Sequence, residues 1–69
     1  MPKRTVYHVK NTAAAHEACL QLALRGWAAR WSVDGPWTHL HVMHEPHVAN
    51  GVHDVVLLVD SDATDCECG

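Results

Sequence analysis

The chain of 69 residues is short enough to form a single domain, with a core near the lower size limit for independent stability. Its 48% hydrophobic and 19% charged residues are typical of a globular protein and exclude a disordered chain. No segment approaches the ~18 apolar residues of a membrane span, and an apolar signal-peptide core is absent, so we expect a cytoplasmic protein. A second copy of the chain or another partner would supplement so small a core.

The charges divide unequally between the two halves of the chain. Residues 1–33 carry all five Lys and Arg and one acid, a balance of +4. Residues 34–69 carry seven acids and no Lys or Arg, a balance of −7. Such an asymmetry bears on the partners of the protein rather than on its fold.

The first predicted element is a strand over residues 5–10, which are β-branched and aromatic. Asn11 and Thr12 follow, with side-chain oxygens that can accept an unpaired amide of a first helical turn. Residues 13–25 are strong helix formers, and Gly26 suits the left-handed position that ends a helix. The spacing predicts one broad apolar stripe facing the core, formed by Ala15, Cys19, Leu20, Leu22, Ala23 and Leu24.

Two alternating segments follow, residues 27–33 and residues 37–44, and the short turn between them predicts a β-hairpin. Side chains alternate between the two faces of a strand, so packing Leu40 and Val42 against the helix turns the odd-numbered residues away from it. We therefore expect the second strand to contribute four residues to one open sheet face: Trp37, His39, His41 and Met43. His8 and Arg30 are expected on the same face.

The last apolar segment, residues 52–59, is compatible with two structures. Its β-branched content favours a buried strand, while its valines also recur at helical spacing; we favour the strand and keep a short helix as the alternative. The element order predicts a small α+β fold, a β-α-β-β sheet with one helix on one face and this C-terminal element, which resembles part of a ferredoxin-like topology. We expect one domain over residues 1–60 and an acidic, cysteine-containing tail over residues 61–69.

The charge asymmetry favours binding to another protein as the main function. An acidic surface from the C-terminal half would complement the basic surface of a larger protein or complex, with exposed apolar side chains as anchors. The predicted docking residues are Trp37, Met43, Glu45, Asp54, Asp60, Asp62 and Asp65. In size and charge the chain resembles small acidic inhibitors such as phage-encoded anti-defence proteins, and this resemblance implies docking on a nucleic-acid-handling complex.

Seven histidines in 69 residues suggest an alternative function, metal binding with zinc or copper as the cofactor. The candidate ligands are His8, His39, His41, His44, Cys66 and Cys68. None of their spacings is a diagnostic zinc motif, so the default expectation is a polar sheet face without a cofactor. The odd number of cysteines does not form a disulfide framework and predicts reduced thiols.

A second alternative is single-stranded nucleic-acid binding, because open sheet faces bind single strands through stacking aromatic side chains. The acidic half would repel phosphate, and five cations form a small electrostatic footprint, so nucleic acid is the less favoured partner. An enzyme is not predicted. The chain contains no nucleophile elbow, phosphate-binding glycine loop or zinc-protease motif, and Cys19 lies on the predicted buried helix face.

Overall fold

The computed structural model describes residues 2–66, which form one four-stranded antiparallel sheet covered on one face by two helices. Strand order across the sheet is β2-β3-β1-β4. The fold class is therefore the predicted α+β, and the order of elements completes the ferredoxin-like β-α-β-β-α-β arrangement. The elements are β1 (Lys3–Val9), α1 (Thr12–Leu24), β2 (Ala28–Asp34), β3 (Trp37–His44), a 3-10 turn (Pro46–Val48), α2 (Ala49–Val59) and β4 (Thr64–Cys66).

Residues 52–59 belong to α2, so the favoured strand is wrong and the helical alternative is correct. Val52, Val55 and Val56 are buried at the i, i+3 and i+4 spacing of one helix face. This spacing decides the structure against the strand preference of valine, because it allows all three side chains to reach the core together.

The folded domain extends beyond the predicted boundary at residue 60. Ala63 packs in the core, and β4 pairs with β1 from Thr64 to Cys66, so a tail that begins at residue 61 is wrong for these positions. Asp60 connects this segment to the rest of the molecule. Its buried carboxylate accepts hydrogen bonds from the backbone amides of Lys10 at 2.8 Å and Asp62 at 3.0 Å.

Helix α1 has the predicted cap but a different buried face. The Asn11 side chain accepts a hydrogen bond from the Ala14 amide at 2.7 Å, and Gly26 beyond the helix has φ +83°. The buried residues are Ala14, Ala15, Ala18 and Leu22, whereas Leu20 and Leu24 are 50% and 78% exposed. Because most residues of this helix are apolar, their spacing could not fix which face turns inward.

The two faces of the sheet differ as the strand alternation predicts. Tyr7, Val9, Leu40 and Val42 point under the helices and belong to the core. Gly35, at φ +61°, lies in the two-residue turn between β2 and β3 that fixes their register. Within residues 2–66 no helix is long and apolar enough to cross a membrane.

Candidate functional site

The sheet face opposite the helices, called the open face here, gathers polar and aromatic side chains from all four strands. Residues that pair directly across antiparallel strands share a face, so the register defines its membership. His39 pairs with both His8 and Ser32, and His41 pairs with both Val6 and Arg30. The open face consists of Arg4, Val6, His8, Ala28, Arg30, Ser32, Asp34, Trp37, His39, His41, Met43, Thr64 and Cys66.

Aromatic rings form a continuous stack at one end of the open face. The His8 ring stacks on Trp37 with centroids 4.9 Å apart and on His39 with centroids 4.7 Å apart. His41 meets His39 edge-on at 6.3 Å. Trp37 remains 55% exposed, so a planar group from a ligand has access to the outer end of the stack.

His8, His39 and Cys66 bring together candidate metal ligands from β1, β3 and β4. One ligand atom of each lies within 4.8 Å of the other two, and all three residues are partly buried. His8 lies directly opposite His39, while Cys66 pairs with Val6 and is diagonal to His8. Register across the sheet thus assembles three of the six predicted ligands from opposite ends of the sequence.

The predicted reduced state of the cysteines is wrong for Cys66, which is disulfide-bonded. Cys19 is free, and burial raises the pKa of its thiol, which disfavours the reactive thiolate. Cys68 lies outside the described residues. A metal ion bound through Cys66 therefore requires that its disulfide first be reduced, because the thiolate is the metal ligand.

Two predicted ligands do not join this cluster. His44 is 4% exposed and lies on the covered face, where its Nε2 is 2.8 Å from the Thr5 hydroxyl and its Nδ1 is 2.8 Å from the Glu45 carbonyl. The alternation along β3 explains the correction, because residue 44 has the opposite parity to residues 39 and 41. His41 does lie on the open face, but its Nε2 is hydrogen-bonded to the Ser32 hydroxyl at 3.1 Å.

A basic cavity of about 250 Å³ adjoins the aromatic stack. Arg4 from β1 and Arg30 from β2 lie on either side of β3 and line it together with His41 and Met43. Burial lowers the pKa of His41, and the positive charges of Arg4 and Arg30 lower it further. Among the described residues, neither arginine forms a salt bridge with a carboxylate.

The residues predicted to dock on a basic partner do not share one face of the described structure. Trp37 and Met43 lie on the open face, whereas Asp65 lies on the covered face, where it pairs with Tyr7. The Oδ1 atom of Asp65 is 4.0 Å from Nδ1 of His53 in α2. Asp60 is 2% exposed and its carboxylate accepts hydrogen bonds from backbone amides, so its side chain is not accessible to a docking partner in this conformation. Glu45, Asp54 and Asp62 are exposed at three other points of the chain.

Arg4 is the candidate that the sequence pattern does not reveal. Alternation alone places Arg30 beside His41, but Arg4 joins the cavity only through the pairing of β1 with β3, in which it lies opposite Met43. The position of Cys66 likewise depends on the pairing of β4 with β1. The signal that could have found both is strand register, which a single sequence specifies poorly for distant segments.

No family model, curated protein or solved structure matches the chain at a significant level.

Proposed function

We propose that the reduced protein binds a divalent ion of the zinc class at His8, His39 and Cys66. The observation that carries this proposal is the convergence of one ligand atom from each residue within 4.8 Å of the others. Two imidazoles and a thiolate form a donor set suited to zinc. Three protein ligands leave the fourth position of a tetrahedral ion to water or to a further ligand.

The cluster needs a modest rearrangement to hold one ion. Ligand atoms bound to a tetrahedral zinc are about 3.5 Å apart, so any pair near the 4.8 Å limit must close by about 1 Å. The stacked rings of His8 and His39 must also rotate until one nitrogen of each points at a common centre. Both rings are only partly buried, which leaves room for this rotation.

The redox state of Cys66 sets the affinity for metal. Reduction of its disulfide takes up two electrons and two protons from a thiol reductant, and metal binding then displaces the proton of the thiol. A cytoplasmic location, which we also propose, would keep this thiol reduced. In the oxidised protein only the two imidazoles remain as ligands within the cluster.

The test is a zinc titration against a chromophoric chelator, with tag-free protein reduced by a phosphine in one series and left oxidised in the other. We expect the reduced protein to bind one equivalent of zinc and the oxidised protein to bind it at least tenfold more weakly. The variants His8→Ala, His39→Ala and Cys66→Ser should each weaken binding by at least tenfold, since each removes a ligand.

His47→Ala is the matched control, because His47 is exposed on the 3-10 turn and lies outside the cluster. It should leave the affinity of the reduced protein unchanged. Circular dichroism of every variant checks that the fold persists. Absence of zinc binding at micromolar concentration overturns the proposal, and so does an equal loss of affinity in His47→Ala and the cluster variants.

A further inference from the structure

The basic cavity presents two guanidinium groups that no carboxylate of the described residues pairs with. Arg4 and Arg30 are exposed, flank β3 from opposite sides and make no salt bridge to any carboxylate within residues 2–66. Two like charges that line one cavity repel each other and are stabilised by an anion between them. Guanidinium is also the side-chain group best matched to the oxygens of phosphate.

Most of the acidic side chains in residues 2–66 lie away from this face. Of the carboxylates in the described residues, the register places only Asp34 on the open face, at the end of β2. The others lie on the helices, in the loops and on the covered side of β4, and Asp60 is buried. Repulsion of phosphate by the acidic half is therefore weaker at the open face than the net charge of the chain indicates.

Trp37 forms an aromatic platform on the same face as the basic cavity. The distance between the platform and the cavity indicates the length of the ligand. Trp37 is four residues from His41 along β3, which corresponds to about 13 Å at the rise of a strand. The base of one nucleotide lies next to its own phosphate, so a single nucleotide does not occupy both places. An oligonucleotide that runs along β3 can occupy both places, with one phosphate in the cavity and a base further along on Trp37.

We propose that the open face binds single-stranded nucleic acid, with a backbone phosphate held between Arg4 and Arg30 and a base stacked on Trp37. Single strands present unstacked bases to aromatic side chains, whereas a duplex keeps its bases stacked and inaccessible to a flat sheet. None of these three residues is a ligand in the proposed metal cluster, but Trp37 stacks on the proposed ligand His8, so nucleic-acid binding is tested with metal removed.

The test measures the anisotropy of labelled eight-nucleotide single strands of DNA and RNA, in buffer that contains a chelator. We expect binding that weakens as salt is raised from 50 to 200 mM. The double variant Arg4→Gln/Arg30→Gln should lose at least tenfold in affinity. Its plot of log affinity against log salt should be shallower by about 0.7, since the two arginines hold one phosphate and each phosphate contact on a single strand contributes about 0.7.

Trp37→Ala should weaken binding by about tenfold with little change in the salt slope, because stacking releases no counterions. Arg25→Ala is the matched control, since Arg25 is an exposed arginine at the end of α1 whose side chain donates to the Gln21 carbonyl. It should bind like the wild type. Arg4→Lys/Arg30→Lys keeps both charges and should retain most of the salt slope while losing part of the affinity.

Three results would overturn the proposal. The first is no binding of either single strand at 50 mM salt. The second is an equal loss in Arg25→Ala and in the double glutamine variant, which would indicate a non-specific charge effect. The third is competition by a mononucleotide or a duplex as effective as that by the oligonucleotide. A failure of zinc binding leaves each of these results unaffected, because the chelator removes metal throughout.

Discussion

The two faces of the sheet in this small protein carry side chains of different kinds. Leu40 and Val42 are completely buried beneath the helices, while their neighbours His39 and His41 on the same strand lie on the open face with aromatic and cationic side chains. The covered face therefore supplies the hydrophobic burial that holds the chain together. The open face carries polar side chains, and the proposed metal and nucleic-acid sites lie there.

Because the two faces differ in this way, we expect substitutions on one face to change stability and substitutions on the other face to change binding. Changes on the covered face should strongly lower the free energy of unfolding. Changes on the open face should alter ligand affinity and have little effect on the free energy of unfolding.

Leu40→Ala should lower the free energy of unfolding by about 2–5 kcal/mol, because it leaves a cavity among side chains that are fully buried. Urea unfolding followed by circular dichroism measures the loss. Leu40→Met is the control, since it nearly conserves volume and should lose less than about 1.5 kcal/mol. Equal losses in the two variants would contradict the assignment of Leu40 to a tightly packed core.

Tyr7 should make stability depend on pH at the alkaline end. Burial, aided by the negative charge of Asp65, raises the pKa of Tyr7 from 10.0 to about 12. The unfolded chain therefore loses this proton at lower pH than the folded protein does. This contribution to stability is present at pH values well below 10, and about 2 kcal/mol of it is lost as pH rises to 12.

The chain has one tyrosine, so the ultraviolet absorbance of its phenolate can be followed without overlap from another. The folded protein should ionise near pH 12 and the urea-unfolded protein near pH 10. Tyr7→Phe should remove this part of the pH dependence of stability. Ionisation of the folded protein near pH 10 would show that Tyr7 is not shielded by the helices.

Asp60→Ala should destabilise the fold by about 2 kcal/mol, since it deprives the Lys10 and Asp62 amides of a charged acceptor. Thermal unfolding measures the effect. Asp62→Ala serves as the control, because Asp62 contributes only its backbone amide to this network and its exposed side chain is not needed there. If both substitutions behave alike, Asp60 acts as a surface acid and the predicted docking role regains support.

Trp37→Ala should have the smallest effect on stability, below about 1 kcal/mol, despite removing the largest side chain of the open face. More than half of that side chain is already exposed, and its ring contact is with another residue of the open face, His8. Urea unfolding under the conditions used for Leu40→Ala gives the direct comparison. A loss as large as that of Leu40→Ala would end the distinction between the faces.

Much of this division follows from the local sequence, because side chains repeat every two residues along a strand. The alternation in residues 37–44 correctly assigns Leu40 and Val42 to the core and His39 and His41 to the opposite face. The same rule excludes His44 from the open face, although proximity in sequence favours including it. Alternation thus predicts which side chains share a face more securely than does the density of histidines.

Other features depend on contacts that a local pattern cannot specify. The valines of α2 carry both a strand preference and a helical spacing, and only the available core surface decides between them. The sequence similarly does not determine which face of α1 turns toward the core, because small and large apolar residues occur on most sides of this helix. The cluster at Cys66 and the cavity at Arg4 require the register of strands far apart in the sequence.

The short strand β4 has a consequence for how the molecule opens. Within residues 2–66 it is held to β1 by three residue pairs, and the Val6–Cys66 pair closes a loop of about sixty residues. Such a segment is expected to detach by local unfolding more readily than the central strands, with faster amide hydrogen exchange. Transient detachment would expose the sulfur of Cys66 to reductants while the rest of the sheet stays intact, so the dynamics of three residues would govern how quickly the proposed metal site becomes available.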